Sequence, residues 1–262
     1  MDLNHYTSAD GLLGILQKDH INLRATRFSH LNDSREYNWI SEKIRDKKEE
    51  ICKNLDIPFD PDQHTYPYVV CFADLPDEHL MWKLYGAEGK GYMLTFDYEG
   101  LAKFAIDHNP NGDNPDHLQS ITYADDNDWE QQFLQTLRIF NTIEGICHST
   151  DLDRVCALMK RNIYNHENET RYMRCNHDAM ELCYNAGNPK VQYDGEHPES
   201  VKLRSSAYGI TPYIDINLPK ELLKSITIGY SYKFQSQRDA LKLLLHSRGY
   251  TNVEIRQSQI IP

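Results

Sequence analysis

Hydrophobic and polar positions recur along this chain with two periods. Residues 3–6 alternate as a strand does. Leu12, Leu13, Ile15 and Leu16 fall on one side of a short helix, with Ser8 or Asp10 as its cap. Residues 21–24 predict a second strand, and a polar loop over 27–32 leads to a further cap at Asp33-Ser34. Residues 34–55 read as one long charged helix. Pro58, Pro61 and Pro67 mark a loop, and 68–72 is a near-continuous apolar run, the mark of a buried strand. Further along, the pattern predicts helices over 77–85, 98–108, 129–147, 152–164 and 235–247. Strands are predicted over 91–96, 119–123, 168–174, 210–218, 225–229 and 253–255.

Strict β-α-β alternation fails, so the fold class is α+β, a mixed, largely antiparallel sheet flanked by helices. Residues 185–200 are polar, with Gly187, Pro189, Gly195 and Pro198, and form the best boundary on offer. The stretch from 201 to 262 is too short for an independent unit. The expectation is a single domain over 1–262 with a helical insertion near 98–164.

Composition narrows the class. With 40% hydrophobic residues, 17 Tyr and 3 Trp, a sizeable aromatic-rich core is within reach. No stretch approaches the roughly 18–20 apolar residues of a membrane span, and residues 1–5 do not open a signal peptide, so no membrane partner is expected. Six Cys without a C-x-x-C pair read as reduced thiols of a cytoplasmic protein, and no spacing supports a metal site. The net charge is −11. Residues 200–262 hold 9 Lys/Arg against 4 Asp/Glu, a surplus of +5, so the rest carries −16. An acidic body argues against non-specific duplex binding, which needs many cationic phosphate contacts, although one basic groove is compatible with it.

Four stretches hold candidate chemistry. His5-Tyr6-Thr7 lies where a strand meets a helix; a His there is either structural or a partner for a ribose hydroxyl. Arg24, Arg27 and Asn32 suit a pyrophosphate, or else belong to a loop that caps the next helix. Trp82-x-x-Tyr85 puts two rings on one helix face, either in the core or stacked on a planar heterocycle. In Glu167-x-Glu169-x-Arg171, strand spacing puts two carboxylates and a guanidinium on one face. They form either an edge of ion pairs or a site able to bond a ribose hydroxyl and stabilise positive charge. Gly89 and Gly91 are too sparse for a phosphate loop, and nucleophile motifs are absent.

His5-Tyr6-Thr7-Ser8, Asn32-Asp33-x-x-Glu36, Cys71-Phe72, Met81-Trp82-x-x-Tyr85, Gly91, Glu167-x-Glu169-x-Arg171, and Ile228-Gly229 to Gly249-Tyr250 resemble, in that order, a bacterial family known as domain of unknown function 2971. The resemblance covers nearly the whole chain. It implies a cytoplasmic protein, often near mobile elements or phage-defence genes. The opening also resembles, remotely, the ADP-ribosyltransferase superfamily of His-Tyr-Glu type, which implies an ADP-ribosyltransferase-like fold and NAD as substrate. Under that resemblance His5, with Tyr6 and Thr7, bonds a ribose of NAD. Arg24 or Arg27 with Asn32 faces the pyrophosphate, and Tyr85 or Tyr92 stacks on nicotinamide. Glu169 stabilises the oxocarbenium-like transition state, and Glu167 orients or deprotonates the acceptor. Arg171 departs from the pattern: paired with Glu169, it would make that carboxylate structural. The expected function is transfer of ADP-ribose to a macromolecular acceptor by a toxin or anti-phage defence effector, with an antitoxin or defence partner. The alternatives are a nucleotide-handling or nucleic-acid-cleaving enzyme, and a non-catalytic nucleotide-sensing or interaction module.

Overall fold

The computed structural model describes residues 1–31, 34–59, 66–107, 116–144, 151–176, 184–185, 188–189, 201–206, 209–230 and 233–261. In chain order, the first half consists of β1 (Asp2–Thr7), α1 (Ala9–Ile15), β2 (Ile21–Arg27), α2 (Ser34–Arg45), α3 (Lys48–Asn54), β3 (Tyr66–Ala73), α4 (His79–Leu84), β4 (Tyr92–Asp97) and α5 (Tyr98–Asp107). The middle of the chain adds β5 (His117–Ser120), β6 (Thr122–Ala124), α6 (Trp129–Glu144), α7 (Asp151–Cys156), β7 (Met159–Arg161) and β8 (Glu169–Asn176). The last elements are β9 (Tyr184–Asn185), β10 (Asn188–Pro189), β11 (Lys202–Ser206), β12 (Gly209–Leu218), β13 (Leu223–Ile228), α8 (Phe234–Ser247) and β14 (Glu254–Gln257). This is the expected α+β class: in the main sheet every pairing is antiparallel except β13 with β14.

The order across that sheet is β11-β12-β2-β3-β1-β4-β13-β14, with β8 on β3 and β5 on β8. A strand has two edges. β8 runs along the whole of one edge of β3, so β2 and β1 share the other, at Tyr68–Val69 and at Ala73. Helices cover both faces, which is why β3 and β8 are buried almost throughout rather than at alternate residues. On one face, Leu12 and Ile15 of α1, Leu101 and Phe104 of α5, and Leu241 and Leu245 of α8 pack on Val70, Phe72, Leu94 and Tyr172. On the other, Ile40 and Ile44 of α2, Ile51 of α3, Phe133 and Leu137 of α6, and Val155 of α7 pack on Val69 and Met173. Each such side chain contributes about 1.5–3 kcal/mol of transfer free energy when fully buried.

Three expectations need correcting. The helix over 34–55 is two helices. The Lys47 amide donates to the Ile44 carbonyl (2.9 Å) in a turn that re-aims α3, so that Ile51 reaches the core and Lys48 meets Asp153 (3.2 Å). The strand over 119–123 divides at Ile121: β5 joins the main sheet, while β6 pairs in parallel with β7 in a separate ladder. The helix over 152–164 ends at Cys156, and Met159–Arg161 is a strand. Residues 155–159 are apolar and buried on all sides, a pattern that does not separate a helix from a strand.

Gly91 and Gly229 are close-approach residues. A Cβ on Gly91 would lie 2.2 Å from the Thr7 carbonyl oxygen, and one on Gly229 2.3 Å from the Gly89 carbonyl oxygen. The amide of Gly91 donates to the Gly86 carbonyl (2.9 Å) and that of Gly229 to the Gly91 carbonyl (3.0 Å). This stack seats the end of α4 on β1 and β13, and with it Tyr85.

Candidate functional site

Five charged side chains meet inside the protein: Glu36 from the first turn of α2, Lys160 from β7, Glu167, and Glu169 and Arg171 from β8. Arg171 is 0% exposed and the other four 4–5%. The spacing predicts Glu167 on the strand. Instead it ends a 3-10 turn (Asn162–Glu167), and Asn168 then takes a left-handed conformation (φ 41°), which Asn tolerates better than most residues. That reversal aims Glu167 and Glu169 at one ammonium. Lys160 Nζ lies 2.8 Å from Glu167 Oε2, 3.1 Å from Glu169 Oε2 and 3.2 Å from Glu36 Oε2.

Arg171 secures the other side. Its Nε donates to Glu169 Oε1 (2.6 Å), its Nη2 to Glu169 Oε2 (3.2 Å) and to Glu36, and its Nη1 to the Ala157 carbonyl (2.8 Å). Burial raises the Glu169 pKa, but the Arg171 and Lys160 charges outweigh it and hold this carboxyl well below the usual range. Burial favours neutral Lys160, and the charges of Glu169, Glu36 and Glu167 reverse that, so it stays an ammonium. The Cys71 thiol, kept protonated by burial and by Glu169, also bonds Glu169. Three carboxylates face two cations, which leaves one net negative charge in a buried site.

The lip of this cluster is Tyr85, 38% exposed at the end of α4, whose hydroxyl donates to Glu167 Oε1 (3.3 Å). Burial and the Glu167 charge keep the phenol protonated. The two glutamates therefore differ. Both oxygens of Glu169, to which the resemblance assigns a bond to ribose, are bonded by the buried Arg171 and Lys160, whereas Glu167 has Oε2 on Lys160 and Oε1 on the hydroxyl of the partly exposed Tyr85.

The remaining predicted residues lie elsewhere. His5 pairs across the sheet with Leu94 on β4, and Asn4 pairs with Ala73, which pairs with Glu169. Paired residues share a face and neighbours alternate, so His5 and Glu169 project from opposite faces. The half-buried His5 ring packs edge-on against Phe72 (5.9 Å), and its Nδ1 bonds the Cys71 carbonyl (3.0 Å). Burial pushes its pKa down, more than the bond to Cys71 raises it. Tyr6 is a core residue: it packs on Trp82 (5.0 Å), its hydroxyl accepts from the Glu78 amide (3.1 Å), and burial lifts its pKa to about 12. Thr7 pairs with Tyr92, and the Tyr92 hydroxyl donates to Gln237 Oε1 (2.8 Å), away from the cluster. Trp82 takes the core reading, its indole donating to Asp77 (2.7 Å). Arg24 is exposed, 5.1 Å from the centre of the Tyr213 ring; Arg27 lies 3.6 Å from that of Tyr66. Asn32 lies outside the described residues. Among the described residues, no three His, Cys, Asp or Glu side chains are placed to hold one metal ion.

Lys160 was missed by sequence reasoning. Its one signal is its place directly after the apolar run, seven residues before Glu167, and the helical reading of that run hid it.

Residues 81–172 match the model of a protein family of unknown function (DUF2971). The matched stretch contains Tyr85, Lys160, Glu167, Glu169 and Arg171; it excludes His5, Arg24, Arg27 and Glu36. A search of curated proteins finds no match. Among the described residues no helix is long and apolar enough to cross a membrane.

Proposed function

We propose that this chain is a cytoplasmic NAD-using enzyme of the ADP-ribosyltransferase type, acting on a macromolecular acceptor as a toxin or defence effector, with Glu167 and Tyr85 at its reaction centre. The observation that carries this reading is the uncompensated carboxylate charge beneath a partly exposed tyrosine. When the bond between nicotinamide and ribose breaks, positive charge develops at the anomeric carbon, and a fixed negative charge in a water-poor site stabilises it. Glu167 fits that role because one of its oxygens meets the hydroxyl of Tyr85, the exposed lip of the cluster, and the Tyr85 ring offers nicotinamide a stacking surface. Glu169, Arg171, Lys160 and Glu36 are then the framework that holds Glu167 in place. His5 supports the sheet at Cys71 and has no part in the chemistry.

A second reading rests on the same cluster. The closed Glu169–Arg171–Glu36 arrangement favours a non-catalytic nucleotide-sensing or interaction module, because such groups are spent on each other.

The deciding experiment is nicotinamide release by the purified protein, with and without bacterial lysate as a source of acceptors. Release is expected, and in Glu167→Gln it falls at least ~100-fold, the usual scale for one electrostatic contributor, while the melting temperature is kept. Absence of release, together with no NAD binding by calorimetry, would reject the enzyme and leave the module.

A further inference from the structure

A cavity of about 540 Å³ opens where β2 ends and β3 begins, between those strands and α2, α3 and α7. It is separate from the ionic cluster. Phe28 is the dividing wall, lining the cavity and also lying 5.4 Å, centroid to guanidinium, from Arg171. The volume falls within the ~300–1,000 Å³ of small-molecule sites.

Its lining combines two chemistries. Phe28, Tyr37, Phe59 and Tyr66 supply aromatic walls. Arg27, Arg45 and Lys48 supply three positive charges against the single carboxylate of Asp153, a local +2 in a chain of net charge −11. Lys48 and Asp153 satisfy each other at 3.2 Å. Among the described residues Arg45 pairs with Asp46, at 3.8 Å, with both side chains mostly exposed, so this pair holds neither firmly. Arg27 is the group left over. Its guanidinium lies over the Tyr66 ring, 3.6 Å from the ring centre, it makes no ion pair among the described residues, and its Nε is buried without a hydrogen-bond partner among them. A planar guanidinium stacked over a ring keeps its outer N–H groups for an anion, and their fork matches the paired oxygens of a phosphate.

We propose that this cavity binds a nucleoside 5′-phosphate, with the phosphate on Arg27 and Arg45 and the base among the aromatic walls. Ring and anion are both required: the walls alone would take any apolar group, and the arginines alone any anion. The assignment stands independently of the transferase reading, since it uses none of the cluster's residues.

The test is calorimetric titration of the full chain with AMP, GMP, CMP and UMP, with adenosine and inorganic phosphate as partial ligands. At least one mononucleotide is expected to bind, with adenosine and phosphate at least ~10-fold weaker. Arg27→Gln is expected to lose at least ~10-fold in affinity, and Ser41→Trp, which fills the cavity from α2 and leaves Arg27 in place, to block binding. Glu167→Gln binds as the unaltered protein does, whatever becomes of nicotinamide release. Should Arg27→Gln melt early, Arg45→Gln and Ser41→Trp carry the test. The proposal is overturned if no mononucleotide binds, if phosphate alone binds as tightly, if binding survives Ser41→Trp, or if Glu167→Gln abolishes it.

Discussion

The two faces of the sheet around β3 solve the burial of polar groups in opposite ways. On one, His5 is kept neutral, satisfied by a single backbone carbonyl, edge-on to Phe72 and opposite Leu94 on the next strand. On the other, two or three residues away, five full charges are buried together and satisfy one another. Neutralisation makes the first face tolerant: losing its one bond leaves only a carbonyl short of a partner. Mutual pairing makes the second intolerant, because every member is the solvation of its neighbours. Residues that order along the chain suggested as one site are thus parted by the thickness of a strand.

The largest expected effect comes from breaking the charged face. Arg171→Met leaves three buried carboxylates against Lys160 alone and is expected to lose ~3–5 kcal/mol in urea unfolding; a loss below ~1 kcal/mol would mean the cluster is hydrated and not paired. Acid comes next. The folded pKa of Glu169 lies below its ordinary 4.5, so its contribution is complete above that value and is lost as pH falls from there through the folded pKa. Stability measured against pH should therefore drop below pH 4.5, and Glu169→Gln should flatten that drop; an unchanged slope would assign the acid sensitivity to other groups. The smallest effect belongs to the neutral face. His5→Phe keeps a ring against Phe72, gives up one hydrogen bond worth ~1 kcal/mol, and should leave any NAD affinity unaltered. A fall in NAD affinity with the fold intact would return His5 to the ligand.

Much of the architecture was legible because it obeys local rules. The Ser8 cap is one instance: its Oγ accepts from the Gly11 amide (3.1 Å) at the start of α1. β4, β12, β13 and α8 came from periodicity, and β3 from a short apolar run that follows a proline-marked loop. Residues 155–161 were not legible, because an apolar run buried on every side has no period to read. The site was half legible. Glu167, Glu169 and Arg171 stood out by spacing, and Glu36 by its place in the Asn32-Asp33-x-x-Glu36 motif that runs into α2. That Lys160 joins them depends on β7 pairing with β6, with Tyr123 opposite Lys160, and the paired segments are about forty residues apart. His5 misled for a complementary reason: motif order gives the strand, and only the register gives the face.

Asp77 shows how late in synthesis this arrangement is secured. Its carboxylate accepts from the Trp82 indole (2.7 Å), the Ser258 hydroxyl (2.7 Å) and the Gln259 amide (2.7 Å), so the loop that launches α4 is clasped by a segment more than 180 positions further on. β1 lies in the middle of the sheet, and its neighbour β4 is flanked by β13, made more than two hundred residues after β1. Contacts of such long sequence separation close slowly. A ribosome must therefore release the chain through Gln259 before the clasp that helps set Tyr85 over Glu167 can close, and until then the chain is a bystander to whatever chemistry its folded form performs.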